Sequence, residues 1–460
     1  MDHVELRAGA YADSVTLLQV SRRVQDLPGV VTAQVAMATP LNLEVLERMG
    51  FAIPAEATVN HLVVAIRLEA DDSLAEVRAE VDRALTERRT SSTDSGEAPP
   101  RTTGSALRRR PGALVVVSVP GAGAAVEAMD ALEAGSDVMI FSDNVPVDQE
   151  VALKRYAAER HLLVMGPDCG TALVDGVGLG FANVVAPGPV GIVAASGTGC
   201  QQVLALLDHA GVGVSTAYGV GGRDLSAEVG GAATRTALGR LDADPDTEVI
   251  LLISKPPDDS VGADLTAYAE GLATPVLTAL LGPGRPDLTD ATEHLLRRLG
   301  RDVPPWPVHG TSSPGSGTRL HGLFVGGTLK AEAEALVTAA GADAELVDFG
   351  DDDYTEGRAH PMIDPSLRLQ RLAEVAADDD TGVILLDVVL GHGAEDDPAG
   401  SLAPAIAGLR PPVVVTVVGT AHDPQGLDRQ VAALVAAGAE VHLSNAAATR
   451  RALALLGGDR

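Results

Sequence analysis

The chain has 460 residues, 46% hydrophobic and 21% charged, the balance of a water-soluble globular protein of about three domains. With 63 acidic against 34 basic residues the net charge is −29, a field that repels nucleic acid and anionic membranes. No apolar run reaches the roughly 20 residues that span a bilayer, MDHVELRAG holds no signal-peptide core, and two cysteines, Cys169 and Cys200, build no disulfide framework, so a cytoplasmic setting is expected.

Residues 1–87 alternate short strand and helix signals. AYADSVTLLQVSRRVQDL has helical spacing, VVTAQVAMA reads as a strand, LNLEVLERMG as a helix, HLVVAIRLEA as a strand and SLAEVRAEVDRALTERR as a helix. That order predicts a small α+β, ferredoxin-like module. Residues 88–111, poor in apolar side chains and rich in breakers, read as a linker, and the basic stretches RALTERRT and LRRRPG as its solvated edges.

From 112 to 187 strands alternate with helices, which predicts a parallel sheet and a Rossmann-like domain of CoA-binding type. Its first turn, PGAGAA, is not a complete GxGxxG, so tight strand-to-helix packing explains it as well as a nucleotide does. A second βα unit covers 188–300. After the breaker-rich linker 301–318, a third covers 319–460.

The second and third units look like copies. Each is a strand, a Gly-Thr turn, a helix, a strand, a polar loop and further helix–strand pairs, which predicts two flavodoxin-like repeats. The turns are Ser196-Gly197-Thr198-Gly199 and Gly326-Gly327-Thr328. A helix opening at such a turn offers unpaired N–H groups and the positive end of its dipole. Two such termini facing one another would bind a tetrahedral dianion, with Ser196, Thr198 and Thr328 adding hydroxyls. Simple helix capping by Ser196 and Thr328 is the alternative.

GPDCG, GPVGIVAASGTG, GVGGRDLS and ILLISKPP, in that order, resemble the succinyl-CoA synthetase alpha subunit. FSDNVP, VMGPDCGTAL, GGRDLSAEVGG, GGTLKAEA, GRAHPMIDPSLR and LLDVVLGHGAEDDPA resemble the FdrA family along the whole chain. Two synthetase features have no counterpart: the Gly-His-Ala-Gly segment bearing the active histidine, and the opening Gly-rich CoA turn. The FdrA resemblance therefore implies a carbamoyltransferase component of oxamate carbamoyltransferase type. It would bind carbamoyl phosphate between the two helix termini, in allantoin and purine nitrogen breakdown, within an oligomer containing two further subunits. An ATP-dependent acid–CoA ligase and a non-catalytic scaffold subunit are the alternatives. No resident cofactor or metal is expected; carbamoyl phosphate and oxamate would be substrates, and neither CoA nor ATP is called for.

The loops at the sheet end of the Gly-Thr turns supply cations for such chemistry: Arg223 in GGRDLS, Lys255 in ISKPP, and Arg358 and His360 in GRAHPMID. An arginine clamps a carboxylate or phosphate bidentately, and a histidine moves a proton near neutral pH. Structural roles remain open: Arg223 paired with Asp224, His360 anchoring its loop, and Lys255 as a solvated strand-end charge. Asn144 of FSDN is a candidate for recognising a substrate amide. His392 has no second histidine at ligand spacing, and the acidic run GDDDYTEG, whose oxygens suit Mg²⁺, reads as a solvated loop of a −29 protein.

Overall fold

The computed structural model describes residues 1–460 except 11, 13, 71–72, 88–99, 356–357 and 458–460. It divides into two compact units, residues 1–100 with 351–364, and residues 101–350 with 365–460.

The N-terminal module runs β1 (Asp2–Ala8), α1 (Ser14–Gln25), β2 (Val30–Met37), α2 (Pro40–Arg48), β3 (His61–Leu68) and α3 (Leu74–Glu87). Its antiparallel sheet has the order β1-β3-β2. The central strand is apolar on both faces because both are covered. Leu62, Val64, Ile66 and Leu68 pack with Leu17, Val20 and Val24 of α1 and with Val77 and Val81 of α3, while Val63 and Ala65 meet Leu46 of α2 and Phe51. Thr39 caps α2 through Asn42 N, with Pro40 at the first helical position.

The stretch read as a linker is not structureless throughout. Thr102 and Ser105 form a reciprocal cap on a short helix, α4 (Thr103–Leu107). Then follow β4 (Val115–Val117), α5 (Gly121–Glu133), β5 (Val138–Ile140), α6 (Val147–Ala158) and β6 (Val164–Met165), a parallel sheet of order β4-β5-β6.

The first repeat comprises β7 (Thr171–Val174), β8 (Val177–Gly180), β9 (Val190–Ala195), α7 (Gly197–His209), β10 (Val214–Gly219), α8 (Ala232–Asp242), β11 (Val249–Ser254), α9 (Asp259–Glu270), β12 (Val276–Leu280) and α10 (Leu288–Arg298). The sheet order is β12-β11-β9-β10-β7-β8. Every residue of β9 and β11 is buried, which is why both read as unbroken apolar runs. The β7–β8 hairpin precedes the boundary expected at 188, yet β7 pairs antiparallel with β10 at Leu173–Ala217. It belongs to this sheet by hydrogen bonding, which sequence periodicity does not report.

The second repeat comprises β13 (Val308–His309), β14 (Arg319–Phe324), α11 (Gly327–Ala340), β15 (Ala344–Asp348), α12 (Asp352–Thr355), α13 (Ser366–Ala377), β16 (Thr381–Val389), α14 (Pro398–Ile406), β17 (Val413–Val418), α15 (Leu427–Ala436), β18 (Glu440–His442) and α16 (Asn445–Gly457). With β14 as first strand, the parallel order is 2-1-3-4-5, and β13 adds antiparallel beyond β18. The crevice of such a sheet opens between its first and third strands, here β14 and β16. Residues 351–364, between β15 and α13, belong with the N-terminal module instead.

Candidate functional site

At the end of β9, Ser196 takes an extended conformation (φ −167°, ψ 121°), and its Oγ accepts the Gly199 N–H at 2.9 Å, capping α7. At the end of β14, Gly326 is the corresponding residue of α11. The two turns meet. Ser196 Oγ donates to Thr328 Oγ1 at 2.5 Å, and Ser196, Thr198 and Thr328 are all buried. The contact requires glycine on both sides: a Cβ on Gly326 would lie 2.8 Å from Thr198 Oγ1, and one on Gly199 would lie 2.9 Å from Thr328 Cγ2. The expected opposition of two helix N-termini is present in the geometry. The Ser196 hydroxyl, however, is spent on capping its own helix and on its counterpart.

The repeats are also stapled further along these helices. Gln202 on α7 and Glu332 on α11 each stand six residues after the turn's first residue. Gln202 Oε1 accepts the N–H of Asn445, the first residue of α16, at 3.1 Å. Glu332 Oε1 accepts the N–H of Leu288, the first residue of α10, at 2.7 Å. Each repeat therefore satisfies a terminal donor on the last helix of the other. Asn445 Nδ2 donates to Glu332 Oε2 at 2.7 Å, and the Thr289 and Ser444 hydroxyls bond at 2.7 Å. Burial, reinforced by the nearby Asp287 carboxylate, pushes the Glu332 carboxyl up to about 7.

At the β14/β16 crevice lies a polar cluster absent from the expectations above. Asp387, within the fully buried β16, accepts the N–H groups of Val325 (2.9 Å) and Gly326 (3.0 Å), just before α11. Burial pushes its carboxyl up to about 6 although Arg368 opposes the shift. Arg368 is itself buried, which lowers its guanidinium from the ordinary value. It donates from Nη2 to the Asp387 carbonyl at 2.5 Å and stands 3.4 Å from Oδ1. Its Nε has no partner among the described residues. Lys255, exposed at the end of β11, reaches the same turn: a Cβ on Gly327 would lie 2.8 Å from Lys255 Nζ and would also meet the Asp348 carboxylate at the end of β15. A lone acid in the run TGVILLDVV was the available signal for Asp387.

The other expected residues do not join this cluster. Arg223 pairs with Glu150 (Nε–Oε2, 3.0 Å) rather than with Asp224, and donates to the Val145 carbonyl at 2.7 Å, beside exposed Asn144. Asp224 instead receives Lys154 at 2.8 Å and Thr234 Oγ1 at 2.6 Å; Lys154 also holds Glu150 at 2.8 Å, and all three side chains of this charge triad are at most 1% exposed. Arg358 and His360 lie in the unit of the N-terminal module. Arg358 is 3.2 Å from Asp364 Oδ2. His360 accepts the Met362 N–H through Nδ1 at 3.2 Å, and lost hydration pushes its imidazole down to about 4, so it is neutral at pH 7. No group of three His, Cys, Asp or Glu able to hold a metal occurs among the described residues.

The uncharacterized protein YahF of Escherichia coli (strain K12) is 36% identical over 489 aligned positions, covering 95% of each chain. The chain belongs to the YahF family. Residues 323–455 match the CoA-ligase family model, and residues 1–101 match that of the AllF heavy metal-associated domain. The succinate–CoA ligase alpha subunit of Methanothermobacter thermautotrophicus is 28% identical over 178 residues, 37% of this chain and 58% of its own length. The malate–CoA ligase alpha subunit of Methylorubrum extorquens is 29% identical over 135 residues, 28% and 44% respectively. A dinucleotide-forming acetyl-coenzyme A synthetase from Ca. Korarchaeum cryptofilum covers 74% of this chain and 84% of its own at TM-score 0.29 and 16% identity, too loose a superposition to align residues. This YahF family member is thus succinyl-CoA synthetase alpha-like, with a CoA-ligase-like segment at residues 323–455. That overturns the expected carbamoyltransferase: the matches are to ligases.

A heavy metal does not fit residues 1–101. They contain no cysteine, and their two histidines, His3 and His61, pair with Ile66 and Ala8 toward opposite ends of the β1–β3 ladder. Soft metals need converging thiolate or imidazole ligands.

Proposed function

We propose that the protein is an acid–CoA ligase or the alpha-like component of one, joining a small carboxylic acid to CoA at the expense of a nucleoside triphosphate. The match of residues 323–455 to the CoA-ligase family model carries this reading. In such chemistry the carboxylate is activated as an acyl phosphate, and the thiol then attacks the acyl carbon and expels phosphate. The α7 and α11 turns, Ser196–Gly199 and Gly326–Thr328, are the proposed phosphate side, because helix N-termini favour anions. Lys255 is the proposed charge partner. Phosphate entry requires the Ser196–Thr328 bond to open. Both ligase relatives are named as alpha subunits, which supports assembly with further chains.

The test is direct. The purified chain, alone and with co-expressed partner chains, is incubated with ATP, CoA and a panel including acetate, succinate and malate, while thioester and released phosphate are followed. Acid-dependent thioester is the expected result. Absence of thioester together with absence of CoA and phosphate binding by calorimetry would overturn the reading.

A further inference from the structure

The two repeats place four parallel strands in the same order, β12-β11-β9-β10 and β17-β16-β14-β15. Beyond that the copies differ. After β17 the second repeat adds α15 and then β18, which pairs in parallel with β17, before its last helix α16. The first repeat passes from β12 directly to its last helix, α10. Among the described residues β12 pairs with β11 alone, so its outer edge is open, and its sequence VLTAL holds neither a charge nor a proline. Sheet edges of soluble chains are ordinarily blunted by such residues or covered.

The second repeat shows what covers the corresponding place. Leu427, Val431 and Leu434 of α15 share one apolar cluster with Ala399, Leu402 and Ile406 of α14. Asp397, the N-cap of α14, is held by Arg429 at 2.9 Å and by Gln430 Nε2 at 2.9 Å, both from α15. The N-cap of α9 in the first repeat is also an aspartate, Asp258, but the described bonds to its carboxylate all come from Ser260 and Val261 of its own helix. Counted from these caps, Ala263 and Ala267 stand where Leu402 and Ile406 stand, five and nine residues on. The leucine and isoleucine are buried and the two alanines exposed. The result is a groove of about 390 Å³, lined by Ala263, Thr266 and Ala267 of α9, by Leu280 of β12 and by Arg285. Side chains larger than alanine, coming from outside, would pack it as the second repeat is packed.

We propose that this groove and the open edge of β12 receive a helix–strand segment of a different chain. Its helix lays apolar side chains on Ala263 and Ala267 and brings an arginine or lysine to Asp258, as α15 brings Arg429 to Asp397, and its strand pairs in parallel with β12 as β18 does with β17. Charge disfavours a second copy as the occupant, because chains of net charge −29 repel one another. The inference goes beyond the ligase reading and does not rest on it.

The probe is a synthetic peptide of residues 424–444, which carries α15 and β18, added at millimolar concentration to the full chain and followed by hydrogen–deuterium exchange. It should slow exchange at peptides covering 259–270 and 276–280 by about threefold or more. The same peptide with Arg429→Glu should protect about half as well or less. Ala263→Trp in the full chain, which fills the groove from an exposed position, should abolish the effect. Absence of protection at 259–280 by the parent peptide would overturn the inference, and so would protection confined to residues 398–418 of the second repeat. Sedimentation equilibrium of the full chain tests the other occupant: a dimer that Ala263→Trp dissociates would overturn the inference, because the groove would then belong to a second copy.

Discussion

Glu332→Gln tests the staple between the repeats because its effect on stability should change sign with pH. In the fold the Glu332 carboxyl is raised from 4.5 to about 7. The protonated form is the one the fold favours. Below pH 4.5 both states are protonated and nothing is lost. Between 4.5 and 7 the unfolded chain releases its proton first, so stability falls as pH rises, and above 7 the whole difference, about 3 kcal/mol, has gone. Glutamine has the same length and stays neutral. Its carbonyl can still accept the Leu288 N–H, but its amide then faces the Asn445 amide, a donor–donor contact costing about 1 kcal/mol. The variant should be about 1 kcal/mol less stable than the parent at pH 4, about as stable at pH 5, where the parent has already lost about 1 kcal/mol, and about 2 kcal/mol more stable at pH 8. The assay is urea unfolding followed by Trp306 fluorescence. Trp306 is the chain's single tryptophan, and its indole N–H donates to Glu293 on α10, the helix that Glu332 caps. A chain of several domains need not unfold in one step, and this local probe reports the transition that matters. Asp287 and Arg450 couple to the Glu332 charge, and the variant removes that coupling together with the charge. A difference between the two proteins that is the same at pH 5 and pH 8 would refute the reasoning.

Three further outcomes follow from the packing. Lys154→Met leaves the Glu150 and Asp224 carboxylates buried without their shared cation and should cost about 3–5 kcal/mol, read as a lowered thermal midpoint; a change within about 0.5 kcal/mol would show that the triad is not held as described. Ser196→Ala removes the α7 cap and the donor to Thr328, an expected loss of about 1–2 kcal/mol measurable by denaturant titration. Cys169 and Cys200 are buried, and lost hydration pushes both thiols up to about 12, so neither should react with a thiol reagent at pH 8 until the protein is denatured. Stoichiometric labelling of the native protein would contradict that burial.

The repeat and its two turns could be read from the chain because glycine, serine and threonine at a strand-to-helix junction have few other uses, and because two copies stand about 130 residues apart. The parallel sheets could be read from continuous apolar runs such as VILLIS and VILLDVV alternating with helices. The β7–β8 hairpin did not, since its place in a sheet is decided by the β10 edge it meets, not by its own four-residue strands. The destination of Arg358 and His360 was equally hidden. A loop of polar residues after a strand looks the same whether it lines a crevice or belongs with another module, and only contacts such as Arg22 with the Ile363 carbonyl distinguish the two. Glu332 escaped notice inside LKAEAEALV, where a charged residue at helical spacing normally faces water; its pseudo-equivalent Gln202 shows in retrospect that one position in each repeat has a polar duty inward.

The reciprocal capping by Gln202 and Glu332 bears on how the molecule is put together. Because α10 relies on α11 and α16 on α7, a polypeptide severed within 301–318 would yield two fragments that each end in a helix with a terminal amide awaiting the other piece. Such fragments should complement one another, each poorly ordered alone and cooperatively folded when mixed. An insertion between the repeats would be tolerated as long as it lets these two surfaces find each other.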